Sequence, residues 1–278
     1  MPADDQGAAG GPDPRHAHRE PGRMAAHARA YAYAHSVLRI IDARTGEPVE
    51  AAPARRGLTR IEAHTEGFDV TALRVLLVAD LLVRALELGG TPVWALLDEE
   101  RQQAELRAGA AALGIRPLED GADAAGAASG LGEAQVIHVV RENGAEPDGV
   151  RVAVAAVHAE APPADADPAA LRLALLSRHR AVPVRLGADA LHDAHDTLVR
   201  WRHAVADWAR TPSRPVPDEV RAELRTAWED DLDVPGVLGV LRWAETAPEL
   251  PDGARFETFA HADRLLGLDL TRDLGAPG

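Results

Sequence analysis

The residues able to do chemistry in this chain are histidines and carboxylates, and few of them fall into a telling pattern. His192 and His195 stand three apart with Asp196 beside them, a spacing that lets helical side chains share a metal and is equally that of a solvated helix face. His64 closes the run LTRIEAH and Asp98-Glu99 closes TPVWALLDE. A polar side chain at the carboxyl end of a parallel strand is well placed for a ligand, although a carboxylate there also caps the next helix. The acidic run Glu229, Asp230, Asp231 and Asp233 could hold Mg²⁺ or complement a helix N-terminus. His16, His18, His27 and His35 are scattered through a Pro/Gly/Ala-rich stretch and are expected to be solvated. Neither a Gly-rich phosphate fingerprint nor a Ser-His-Asp order is present. The chain has no cysteine, which excludes disulfides, thiolate metal ligands and thiol nucleophiles.

Composition narrows the partners. The 278 residues carry a formal charge of −14, and all 30 basic residues are arginine, since there is no lysine. Such a balance repels phosphate backbones, so charge argues against tRNA or other nucleic acid as a partner. A hydrophobic content of 46% with only 4% aromatics predicts a core of Leu, Val and Ala. No apolar run reaches membrane-spanning length and no signal-peptide core opens the chain, so a cytoplasmic protein without membrane contact is expected.

The elements that must position these residues follow from periodicity. Residues 1–35 read as a disordered tail. VLRIID and LTRIEA read as strands around a TGEP turn, Val70 to Leu88 as a long helix stopped by Gly89-Gly90, and TPVWALL as a buried strand. Strand, helix, strand at this spacing is a βαβ unit on a parallel sheet. A helix from about Glu99 to Leu113, a linker over 121–132 and two strands, VIHVV and VRVAVAAVHA, complete this part. Asp167 then caps a helix with Pro168 at its first position and Leu171, Ala174 and Leu175 as an apolar stripe. A second helix buries Leu191, Leu198, Trp201, Val205 and Trp208, and a third buries Val220, Leu224, Ala227 and Trp228. The fold class is therefore α/β: a truncated Rossmann-like parallel sheet over 36–160, followed by an all-α helical bundle over 161–278.

The wording of these elements adds a resemblance. DPAALRLALLSRHR followed by LHDAHDTLVRWRHAV resembles the segment after the KMSKS loop of cysteinyl-tRNA synthetases, and more closely that of the mycothiol cysteine ligases, which join cysteine to glucosaminyl-inositol. LRIIDARTGEPVEA, FDVTALRVLLVADLLVRALELGGTPVWALLDE, LRAGAAALGIRPLED, WEDDLDVPGVLGVLRWAE and FETFAHADRLLGLDL resemble further segments of that family, in order. The likeness is loose over 37–118 and stronger from Asp167, with Asp233 as helix cap.

What the resemblance implies is a class I synthetase fold and an aminoacyl-adenylate chemistry that this chain departs from. With Asp80 on the family's aspartate, the HIGH histidines fall on Asp69 and Ala72, and Arg74 alone keeps the family's charge. The KMSKS position falls at Val150–Ala153, without lysine, and the family's zinc site needs thiolates that are absent. Imidazoles and ammonium groups there stabilise charge on the transferring phosphate. The expected function is thus a non-catalytic, small-molecule- or partner-binding relative with no catalytic residue, no metal and no cofactor. Its partner would be a small molecule or a protein, an intact cysteine ligase among them. The alternative is an ATP-dependent amino-acid ligase with rebuilt groups. Any surviving site is expected at the carboxyl edge of the sheet, near His64, Asp69, Arg74 and Asp98. No metal is expected because His64, His138, His158 and the His192/His195 pair show no sign of converging.

Overall fold

The computed structural model describes residues 37–53, 58–99, 101–121, 133–159 and 167–275; the tail expected over 1–35 and most of both linkers lie outside the described residues. The chain enters through a hairpin, β1 (Arg39–Ile41) against β2 (Pro48–Glu50), turning at Gly46 with φ +73°. The second strand has no alternation to announce it, being three residues long.

β3 (Leu58–His64), α1 (Val70–Leu88) and β4 (Val93–Asp98) form the βαβ unit, with β3 and β4 parallel. α2 (Gln103–Ala112) and β5 (Glu119–Asp120) extend it; β6 (Glu133–Arg141) and β7 (Val150–Val154) lie on the other side of β3. The sheet order is β5-β4-β3-β6-β7 and every pairing is parallel. This is the Rossmann-like arrangement, with the strand order reversing direction between β3 and β6. VRVAVAAVHA is not one strand. It breaks at Ala155, and β8 (Val157–Ala159) pairs instead with β9 (Val184–Leu186) across α3 (Pro168–Leu176).

α1 is the central element because leucine, valine and alanine occupy nearly every turn. Fifteen of its 19 residues are buried, so it is covered on both sides. It packs on β3, β4 and β6, on α2, and on the helix Asp252–Leu266. Ile61, Ala63, Leu97, Ile137, Val139, Val152 and Val154 supply the sheet face beneath it. α3, expected to show one stripe, is buried from Ala170 to Leu176. The remaining helices among the described residues are α4 (Ala188–Trp208), α5 (Asp218–Glu229), α6 (Val234–Thr246) and α7 (Asp252–Leu266). Trp201 of α4 is fully buried edge-on to Phe259 of α7, and its indole N–H donates to Glu245 at 3.0 Å.

One buried carboxylate ties the parts together. Asp80 of α1 accepts from Arg84 Nε at 2.8 Å, Arg116 Nε at 3.0 Å and Arg172 Nη2 at 2.9 Å. Arg172 of α3 also donates to the carbonyls of Leu266 and Leu113, joining α7 and the end of α2 to the same point. At the sheet edge, the Asp42 carboxylate accepts from Arg151 N while Ala43 N donates to Arg151 O, so the β1–β2 turn lies along β7.

Candidate functional site

A strand's side chains alternate between faces. With Ile61 and Ala63 of β3 turned to α1, Arg60, Glu62 and His64 line the other face of the sheet. The parallel register sets His64 level with Asp98 on β4 and Glu62 level with His138 on β6. The four side chains meet. His64 Nδ1 lies 2.7 Å from Asp98 Oδ2 and His64 Nε2 lies 2.9 Å from His138 Nδ1. Glu62 Oε2 lies 3.1 Å from that same His138 Nδ1 and 3.7 Å from His64 Nε2. Arg60 Nε holds the other carboxylate oxygen of Glu62 at 3.0 Å. The hydrogen bond from His138 keeps Glu62 below the usual carboxylate range despite partial burial, and burial lowers His64 although Asp98 and Glu62 oppose it.

Proton positions follow from the partners. A carboxylate only accepts, so His64 carries its hydrogen on Nδ1, toward Asp98, and presents a bare lone pair at Nε2. His138 Nδ1 must then be the donor of the group. One hydrogen is shared between two acceptors, His64 Nε2 and Glu62 Oε2.

Asp69 lies just beyond the carboxyl end of β3, at the start of α1. It caps α1, accepting from Ala72 N at 2.6 Å, and pairs with Arg141 at the end of β6. Burial pushes its carboxyl up, but the hydrogen bonds from Arg141 and Ala72 outweigh this and hold it below the ordinary value. The loop between β3 and α1 is clamped by Glu99, which accepts from Thr65 Oγ1 at 2.9 Å and Gly67 N at 2.6 Å. Gly67, at φ +84°, has the left-handed backbone that favours glycine.

Arg74 is placed elsewhere. It is buried, and its guanidinium donates to the carbonyls of Ala155, Arg178, His179 and Val182, with burial lowering its pKa to about 10. The structure thus brings His64 and Asp98 together, puts Asp69 at the neighbouring helix end, and turns Arg74 into the protein. His192 pairs only loosely with Asp196 at 3.4 Å on an exposed face, and His195 faces Asp167. In the acidic run, Asp233 caps α6 through Gly236 N, and Asp231 accepts from Ile41 N and pairs with His179 and Arg180. Both are structural ties.

Glu62 was missed by sequence reasoning, and His138 was not connected to His64. The signal for Glu62 was the alternation Arg60, Glu62, His64 in a central parallel strand, where apolar residues are the rule on both faces. The cysteine-thiolate zinc site that the resemblance implies does not fit this chain, which lacks cysteine.

The fold defines the class: a Rossmann-like parallel α/β sheet with a helical C-terminal part. Over part of its length the chain is similar to curated ligases. It is 42% identical over 114 residues to the L-cysteine:1D-myo-inositol 2-amino-2-deoxy-alpha-D-glucopyranoside ligase of Parafrankia sp., covering 38% of this chain and 25% of the ligase. It is 45% identical over 84 residues to the ligase of the same name from Streptosporangium roseum (30% and 20% covered), and 39% identical over 119 residues to that of Kytococcus sedentarius (37% and 27%). The chain therefore spans about a quarter of the length of the curated relatives it matches. No family model matches it. The likeness to the cysteine ligases is thus a fact of the sequence over about a third of this chain. No helix among the described residues is long and apolar enough to cross a membrane.

Proposed function

We propose that this chain is a cysteine-ligase-like protein that binds a small molecule or a protein partner without forming an adenylate. The N-terminus of α1 carries the reading. A helix start is a ready anion site because its first N–H groups are unpaired and its dipole is positive there. Here Asp69 accepts from Ala72 N and sets its own negative charge at that point, with Arg141 already paired to it. A phosphate arriving there would meet a carboxylate. Two further placements support the reading. The segment at the KMSKS position is strand β7, hydrogen-bonded to β6 and to the β1–β2 turn, and Arg74 is enclosed by four carbonyls. A neutral or cationic ligand suits the site better than a nucleotide.

The test is amino-acid-dependent exchange of pyrophosphate into ATP, with a thermal-shift screen of ATP, cysteine, cysteinyl-sulfamoyl adenosine and glucosaminyl-inositol. No exchange above the blank is expected. Clear exchange with any amino acid would replace this reading by the alternative, an ATP-dependent ligase with rebuilt groups. Pull-down of an intact cysteine ligase from the same cell would specify the partner.

A further inference from the structure

We infer that Glu62, His64 and His138 form a three-ligand site for a divalent metal of zinc's chemistry, oriented by Asp98. The expectation of no metal rested on histidines that showed no convergence, and the register of β3 against β6 supplies it. Among the described residues this is the one group of three or more His, Asp or Glu side chains whose ligand atoms come together within 4.8 Å.

Geometry supports a metal in particular. A tetrahedral site with metal–nitrogen bonds of about 2.0–2.1 Å has ligand–ligand edges of about 3.3 Å. The three edges here are 2.9, 3.1 and 3.7 Å, between His64 Nε2, His138 Nδ1 and Glu62 Oε2. These atoms already surround one point, where a single hydrogen now serves three potential donors of electron pairs. Asp98 has the position of an outer partner: its carboxylate takes the Nδ1 hydrogen of His64 and aims the Nε2 lone pair inward. Carboxylate-oriented imidazoles of this kind are the usual support of bound zinc. Glu62 is likewise fixed, through its second oxygen, by Arg60. The His₂Glu set is not the thiolate set that the resemblance implies; it is made from two strands of this sheet.

Binding balances without loss of a proton to solvent. The metal takes the lone pair of His138 Nδ1, and the hydrogen held there moves to Nε2 of the same ring. His64 binds through the nitrogen that is already bare, and Glu62 binds as the carboxylate. Three protein ligands leave a fourth position for water or another lone-pair donor, the open form of a zinc site. The inference holds or fails independently of whether adenylation has been lost, because exchange activity and metal affinity are separate measurements.

The experiment uses the full chain, stripped with chelator and titrated with Zn²⁺ and with Co²⁺. One metal per chain is expected, with the strong visible absorption of four-coordinate Co²⁺ and a switch of the His138 ring from the Nδ1–H to the Nε2–H tautomer in ¹⁵N spectra. Glu62→Gln and His64→Gln should each lose at least tenfold in affinity, and Asp98→Asn about 10–100-fold as an outer-partner loss. Since His138 is buried and His138→Gln can unfold the sheet, the first two variants, checked by circular dichroism, carry the test. A wild-type chain that stays metal-free at micromolar Zn²⁺ would overturn the inference. So would stoichiometric binding that Glu62→Gln and His64→Gln leave unchanged, which would place the metal on other histidines.

Discussion

Asp80 and the Glu62–His64–His138 group are both clusters of ionisable side chains, one buried and one half-buried, within one sheet-and-helix unit, and their hydrogen-bond patterns differ. Around Asp80, three arginines donate to two oxygens, and Arg172 directs its further N–H groups at the Leu113 and Leu266 carbonyls. Burial raises the Asp80 pKa, yet the charge of Arg172 and Arg84 holds it below the ordinary carboxylate value. On the opposite face of the sheet, donors run short: one hydrogen on His138 serves two acceptors. A cluster rich in donors closes on itself and becomes a joint. A cluster with more acceptors than donors is suited to a cation.

Substitutions can break this distinction, and the largest effects belong to the joint and the helical core. Asp80→Ala leaves three arginines around a void and should cost about 3–5 kcal/mol, as when one partner of a buried ion pair is removed. A urea denaturation midpoint within error of wild type would show that the arginines find water instead. Trp201→Ala, which empties the space beside Phe259, should also cost about 3–5 kcal/mol. An unchanged midpoint there would mean the α4 face is not core. Glu62→Gln should behave in the opposite way, changing stability by only about 1 kcal/mol or less, the worth of an ordinary hydrogen bond at a half-buried site. A loss as large as that of Asp80→Ala would make the His/Glu group a second joint.

The smallest effect is a pH dependence. The hydrogen bond to Asp231 raises the His179 pKa above its ordinary value of 6.5. The folded state therefore holds the proton more tightly than the unfolded one. Its stabilisation is fully present below about pH 6.5 and is lost as pH rises through the folded value. Wild type should lose more of its thermal midpoint than His179→Gln between pH 6 and pH 9; parallel curves would show that the pair contributes nothing.

Much of the scaffold was legible because it is written locally. The Asp167 and Asp233 caps, the Gly89-Gly90 stop and the leucine periodicity of α1 each depend on residues within a few positions. The site was legible only at its ends. His64 and Asp98 were placed by the rule that ligands meet strand carboxyl ends, and they do touch. Glu62 and His138 are joined by the register of two parallel strands whose partners stand 75 or 76 residues apart, which no local pattern encodes. Arg74 shows the opposite error. Its charge matched the resemblance, but a guanidinium on a helix covered on both sides must find its partners inside, and four carbonyls accept from its Nη1 and Nη2.

The ends of the sheet have a consequence for the chain's life in a crowded cell. An open strand edge invites a second chain to add to it, and slow-forming parallel sheets are exposed to that hazard while they fold. Here β5 offers only two residues, while the hairpin turn at Asp42 and Ala43 takes up both main-chain groups of Arg151 on β7, and Ala155 N just beyond is bound to Arg180 O. The short first hairpin thus covers the edge of β7 at which a second strand would otherwise pair.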